Sequence, residues 1–134
     1  MMKCMSIVLS YHGNRESEAA LRQAQDIADN HGMTLVVVLA RRDSQDDPKT
    51  VADAEERLWD TLGRIDVPFE IRHTPEGQEI ADAVLDTARE VDADFVVLGL
   101  RPGGSQGTTV GRNASRILLD SPCPVVTTTA AVPD

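Results

Sequence analysis

The chain has 134 residues, 41% of them hydrophobic, with a formal net charge of -9 and a pI near 4.7. That length suits one domain with a real core, and the acidity argues against DNA or RNA as a partner, because nucleic-acid affinity rests on Lys and Arg meeting phosphates. No apolar run reaches the roughly 20 residues of a membrane-spanning helix, and Met1 to Leu9 lack the basic start and cleavage site of a signal peptide, so a single domain over 1–134, resident in the cytoplasm and off the membrane, is expected.

Cys4 and Cys123 are far apart, form no CxxC pair and have no companion histidine spacing, so both read as small buried hydrophobes and no metal is assigned. Lys3 and Lys49 are the only lysines beside eleven arginines. Such an acidic surface fits high salt as readily as it fits a GC-rich coding sequence, since net charge speaks to solubility and not to fold.

Met5 to Tyr11 is an apolar, β-branched run closed by His12-Gly13-Asn14, the pattern of a buried strand entering a turn. A helix is predicted from an Asn14 N-cap, with Ala20, Ala24, Ile27 and Ala28 on its apolar face, to His31-Gly32. Thr34 to Ala40 is apolar on both parities, as in a strand covered on both faces. After the charged stretch Arg41 to Pro48, the residues Val51, Ala54, Leu58, Leu62 and Ile65 keep a helical period, with Trp59 expected to cap that face.

Val67 to His73 alternates and carries Pro68, the mark of an edge strand. Ile80, Ala83, Val84, Thr87 and Val91 form the stripe of a third helix, and Asp94 to Leu100 is a fourth strand. A glycine-rich stretch, Pro102 to Gly111, precedes a short helix over Asn113 to Leu119 and a last strand over Val125 to Ala130. Strands alternating with helices in this way predict an α/β domain around a mostly parallel five-stranded sheet.

In such a sheet the ligand crevice lies beyond the carboxyl ends of the strands, where strand order reverses. The first and fourth strands are expected to flank it, bringing together Ser10, Tyr11, His12 and Gly13 with Gly99, Leu100 and Arg101. The glycines leading into the short helix could cradle an anion on backbone N–H groups, with Arg101 and Arg112 alongside, or could merely permit a surface turn. The GxxxxGK[ST] and GxGxxG nucleotide signatures are absent, as is the GxSxG nucleophile elbow. Ser115 and Cys123 have no identifiable activator, so no catalytic residue is assigned.

The ending Gly111-Arg112-Asn113-Ala114-Ser115-Arg116-Ile117-Leu118, followed by Pro122-Cys123-Pro124-Val125, resembles that of the universal stress protein family, and so does the aspartate-led strand Ala93-Asp94-Phe95-Val96-Val97-Leu98-Gly99. The resemblance covers nearly the whole chain. It implies an open Rossmann-like sheet of order 3-2-1-4-5 with helices on both faces, and a homodimer through the last strand, with Val125, Val126, Thr127, Thr128, Thr129 and Ala130 at the interface. That strand carries no Lys, and no Pro before Pro133, so it lacks the usual devices against edge pairing.

Family members that bind ATP are similar in having Gly, two residues, Gly, nine residues, then Gly with Ser or Thr, and an Asp at the end of the first strand. Here Gly99 and Gly111 match the outer glycines, Pro102 stands at the middle one with Gly103 beside it, and the loop is one residue short. Arg112 replaces the hydroxyl residue, His12 the Asp, and Ser10 a position that is commonly Pro. The expected function is therefore a stress-response regulatory or protective dimer acting through contacts with a protein partner, its ATP binding lost or altered. The alternative is a module binding ATP or AMP through Gly99, Arg101, Gly103, Gly111, Arg112, Asn113 and Ala114, with Ser10, His12 and Ala40 near base and sugar. A third reading, a nucleotide hydrolase with His12 positioning water, has no further residue behind it.

Overall fold

Strand β1 (Ser6–Tyr11) is buried at every one of its positions, which requires a central place in a sheet covered on both faces. The structure, a computed structural model, describes residues 5–13, 15–40, 48–64, 66–100 and 111–129, the side chains of 48–52 and 54 excepted. After β1 come α1 (Arg15–His31), β2 (Thr34–Leu39), α2 (Pro48–Gly63), β3 (Phe69–His73), α3 (Ile80–Glu90), β4 (Phe95–Leu100), α4 (Arg112–Asp120) and β5 (Val125–Thr129). The strand order is β3-β2-β1-β4-β5, and every neighbouring pair runs parallel. The expected α/β order is thus met, and the sheet among the described residues is wholly parallel.

Alternation along the strands feeds two cores. Ile7, Leu9, Tyr11, Leu35, Val37 and Val97 point to one face, where Leu21 and Ala24 of α1 and Leu58 and Leu62 of α2 cover them. Val8, Val36, Val38, Val96 and Leu98 point to the other, beneath Ala81, Val84 and Ala88 of α3 and Ile117 of α4. Each of the buried Val, Leu and Ile side chains contributes about 1.5–3 kcal/mol relative to exposure.

Local chemistry sets the element ends. Helix α1 stops where Gly32, at a φ of 65°, takes the left-handed conformation, and the Met33 N–H then donates to Ala28 O at 2.9 Å. Pro48 opens α2 at a position where a missing N–H costs nothing. Strand β3 begins at Phe69, two residues later than its alternation predicts, just after Pro68, which has no N–H to give the ladder. It is the edge strand expected, and Arg72, which pairs with Glu70 of the same strand at 2.8 Å, ties it to Glu90 of α3 at 3.0 Å. The Glu70 hydrogen bond leads in raising the Arg72 pKa. Trp59 does not cap the whole apolar face of α2; it is 51% exposed and meets Phe69 edge-on, with ring centroids 5.5 Å apart.

At the head of β4, Asp94 ties two strands together: Ser6 N–H donates to its carboxylate at 3.1 Å, and its own N–H donates to Ser6 O at 2.9 Å. The Asn14 cap, Ile65, Cys4 and Ala130 lie outside the described residues. Among the described residues no helix is long and apolar enough to cross a membrane.

Leu9 is fully buried and Leu119 is 84% exposed. Leu9→Ala should therefore cost about 2–5 kcal/mol in urea unfolding, and Leu119→Ala about 0.5 kcal/mol or less.

Candidate functional site

Because β1 pairs with β2 on one side and with β4 on the other, strand order reverses between β1 and β4. At their carboxyl ends, Ser10 from β1 and His12 just after it, Leu98 and Gly99 from β4, and Asn113, Ala114 and Ile117 from α4 enclose a cleft of about 30 Å³. The structure therefore brings Ser10, His12, Gly99, Asn113 and Ala114 together, as the sequence reading grouped them. Arg101 and Gly103 fall outside the described residues.

The cleft floor is polar. Ser10 is 3% exposed, and its Oγ lies 3.5 Å from His12 Nε2, the outer limit of a hydrogen bond. The His12 N–H donates to Ser17 Oγ at 2.9 Å, so the first turn of α1 fixes the backbone that carries the imidazole. On the opposite wall Asn113 Oδ1 is buried with no hydrogen-bond partner among the described residues. An orphaned amide oxygen in such a place costs about 1–3 kcal/mol.

Helix α4 starts at Gly111, which has extended backbone and no side chain to cap it, so the leading N–H groups of the helix have no side-chain acceptor there. Arg112 points away from the cleft. Its guanidinium meets Glu79, ahead of α3, at 3.0 Å, and Arg116 one turn on meets Asp82 at 2.5 Å. Two ion pairs thus join α4 to α3 and offset the positive charge beside the crevice; spacing within α4 alone gave no sign of them.

Gly99 has a further reason to be glycine. A Cβ there would lie 2.2 Å from Glu16 O and 2.5 Å from Glu16 C, so the backbone of α1 already fills the space. Ala40 is positioned at the end of β2, but its N–H donates to Tyr11 O at 2.8 Å, leaving only its carbonyl for a base edge.

The remaining sequence candidates are dispersed. Cys123 is half-buried, and burial pushes its thiol pKa up against the lowering influence of the Ser121 hydrogen bond, so the thiol form prevails at neutral pH. The described residues contain no group of His, Cys, Asp or Glu arranged to hold a metal. Val125, Val126 and Thr128 are half-buried and Thr127 and Thr129 exposed along β5, whose outer edge has no neighbouring strand among the described residues.

A parallel sheet of this order, with its cleft at the reversal point, defines a doubly wound α/β domain of the kind that holds ligands beyond its strand ends. The model of the universal stress protein family matches residues 5–128. The chain belongs to that family. A universal stress protein of Mycobacterium tuberculosis is 29% identical over 140 residues, which cover 92% of this chain and 48% of that protein. This chain thus spans about half the length of the mycobacterial relatives it matches. A universal stress protein of Thermus aquaticus is 28% identical over 132 residues, covering 90% of this chain and 96% of its own length.

Among solved structures, one of a universal stress protein from Archaeoglobus fulgidus superposes with a TM-score of 0.73 at 24% identity, covering 92% of each chain. An Archaeoglobus fulgidus structure in complex with dAMP gives 0.71 at 23% identity, covering 94% of this chain and 98% of that one. An Arabidopsis thaliana family protein with AMP bound gives 0.70 at 14% identity, covering 96% and 93%. At these identities the likeness is one of fold.

Gly99→Ala must displace α1 or β4, because the obstacle is backbone that no rotamer change can move. A loss of about 1–3 kcal/mol or more is expected, read as a lower midpoint in thermal unfolding. A midpoint within about 1 °C of wild type would show that the close approach is absent in solution.

Proposed function

We propose that this chain is a non-catalytic regulatory or protective module that pairs with a second copy through β5 and acts on a protein partner, with ATP binding in its β1/β4 crevice lost or altered. The observation that carries this reading is the state of the phosphate side of the crevice. Arg112, which stands where ATP-binding members have a hydroxyl residue, is engaged with Glu79 at 3.0 Å, and the described walls leave about 30 Å³ between them. The raised thiol pKa of Cys123 supports a role outside nucleophilic catalysis.

The outer edge of β5 supports the pairing. Val125, Val126, Thr127, Thr128 and Thr129 offer a row of backbone groups without a lysine or proline to turn another strand away. Thr127 is exposed, so Thr127→Lys leaves the monomer core untouched while placing charge on the edge. Sedimentation should give a dimer for the natural chain and a shift toward monomer for Thr127→Lys. A monomer at every concentration for the natural chain removes the pairing from this proposal.

A second reading, an AMP-type nucleotide in the same crevice, draws on Asn113. Its buried, unpartnered Oδ1 would accept from a ligand hydroxyl or amine, and similar folds are known with dAMP, AMP and cAMP. The exposed Arg112–Glu79 pair is worth about 0–1 kcal/mol, so a phosphate could take Arg112 from Glu79.

Thermal shifts with Mg-ATP, AMP, dAMP and cyclic AMP at low and high salt separate the two readings. A nucleotide at about a hundred times its Kd stabilises by about 2.7 kcal/mol. Stabilisation by AMP that Asn113→Ala abolishes establishes the second reading. No shift with any of the four supports the first, and a full ATP response that survives Arg112→Ala contradicts the altered phosphate side.

A further inference from the structure

The opposite face of the sheet carries a larger opening than the crevice. Helix α1 packs over β1, β4 and β5, while α2 reaches the core through Leu58 and Leu62. Between the start of α1 and the last two turns of α2 is a cleft of about 430 Å³, within the usual size range of small-ligand pockets. Its charged and polar walls are Arg15 and Glu18 from α1, Arg57, Asp60 and Thr61 from α2, and Arg64 from the turn just past it. Positions 57 and 61, at i and i+4, share one face of α2, and Arg64 follows in the turn, where its N–H donates to Thr61 O at 3.3 Å.

Outside the cleft, four of the five arginines with described side chains are paired, Arg22 of α1 being the exception. Arg72, Arg89, Arg112 and Arg116 each meet a carboxylate. Arg15, Arg57 and Arg64 meet none among the described residues, although Glu18 and Asp60 line the same opening. Glu18 instead accepts the hydroxyl of buried Tyr11, which draws that carboxylate toward the sheet. Three guanidinium groups with no carboxylate partner among the described residues, gathered around one cleft on a chain of net charge -9, form a local positive site.

We propose that this cleft is a second ligand site, separate from the β1/β4 crevice, which takes a small organic phosphate bearing hydroxyl groups. Guanidinium forks suit the tetrahedral phosphate dianion better than any other group the chain offers. Asp60 in the same wall repels a bare polyanion and accepts from a hydroxyl, which selects a sugar phosphate over a phosphate polymer. A ligand held by both walls bridges α1 to the end of α2, the two helices that cover this face.

Calorimetric titration of the full chain at low salt, with ribose 5-phosphate, inorganic phosphate and ribose as probes, tests the site. Ribose 5-phosphate should bind at one site, inorganic phosphate more weakly and ribose not at all. Arg57→Ala and Arg64→Ala should each weaken ribose 5-phosphate about tenfold, the loss expected for one charge-assisted contact. Arg72→Ala, which removes an arginine from the β3 edge, should leave it unchanged within about twofold. Both cleft arginines are exposed, and matching thermal midpoints will confirm that the variants fold. Amide shifts on binding should centre on Gly13, Arg15, Glu18 and residues 57–64. The proposal is overturned by no heat at about 10 mM ribose 5-phosphate, a ceiling corresponding to binding weaker than about 3 kcal/mol. Equal affinity in the Arg57→Ala, Arg64→Ala double variant overturns it too, as does loss through Asn113→Ala alone, which would place the phosphate in the crevice.

Discussion

The carbonyl of Glu16 occupies the volume that a side chain at position 99 would fill, and the arrangement of this face follows from that approach. Only a strand without a Cβ there lets the start of α1 settle onto β4. Helix α1 then lies over β1, β4 and β5, and α2 is left to cover the remaining part of the sheet through Leu58 and Leu62. The opening between the two helices is the geometric remainder of that placement. So is the fixed backbone of His12, whose N–H is held by Ser17 in the first turn of the same helix.

On the other face the controlling element is charge. Helix α4 is amphipathic but short, and of its residues only Ile117 is fully buried. Its docking is completed by Arg112 on Glu79 and Arg116 on Asp82. Exposed pairs of this kind hold little energy, about 0–1 kcal/mol each, yet they decide where two guanidinium groups point. A helix start that could present Arg112 to an anion presents it to a neighbouring carboxylate instead, and Asn113 is left as the polar group facing the crevice.

The sheet was legible because parallel strands covered on both sides must be apolar on both parities, as Thr34 to Ala40 is, and because Pro68 marks an edge. The order of the strands came from resemblance to a family, since no periodicity distinguishes one parallel neighbour from another. Ser10, His12, Gly99 and Asn113 could be grouped from their places at strand ends and a helix start. Position in sequence could not reveal that Gly99 answers to Glu16, nor that Ala40 spends its N–H on Tyr11, because both are contacts between elements far apart in the chain. The arginine-lined cleft left one trace, the i, i+4 spacing of Arg57 and Thr61 on α2 with Arg64 just beyond its end, which reads equally as an ordinary solvated helix face.

Trp59 is the one tryptophan of the chain, and it stands on α2 with its ring edge against Phe69 of β3. Its emission therefore reports on the seam between that helix and the edge strand, and on nothing nearer to the crevice. Fluorescence and circular dichroism need not follow the same curve on heating: if α2 detaches before the central strands melt, the indole will register the earlier event and the backbone signal the later one. The protein thus carries its own optical gauge of the helix that closes one side of the cleft.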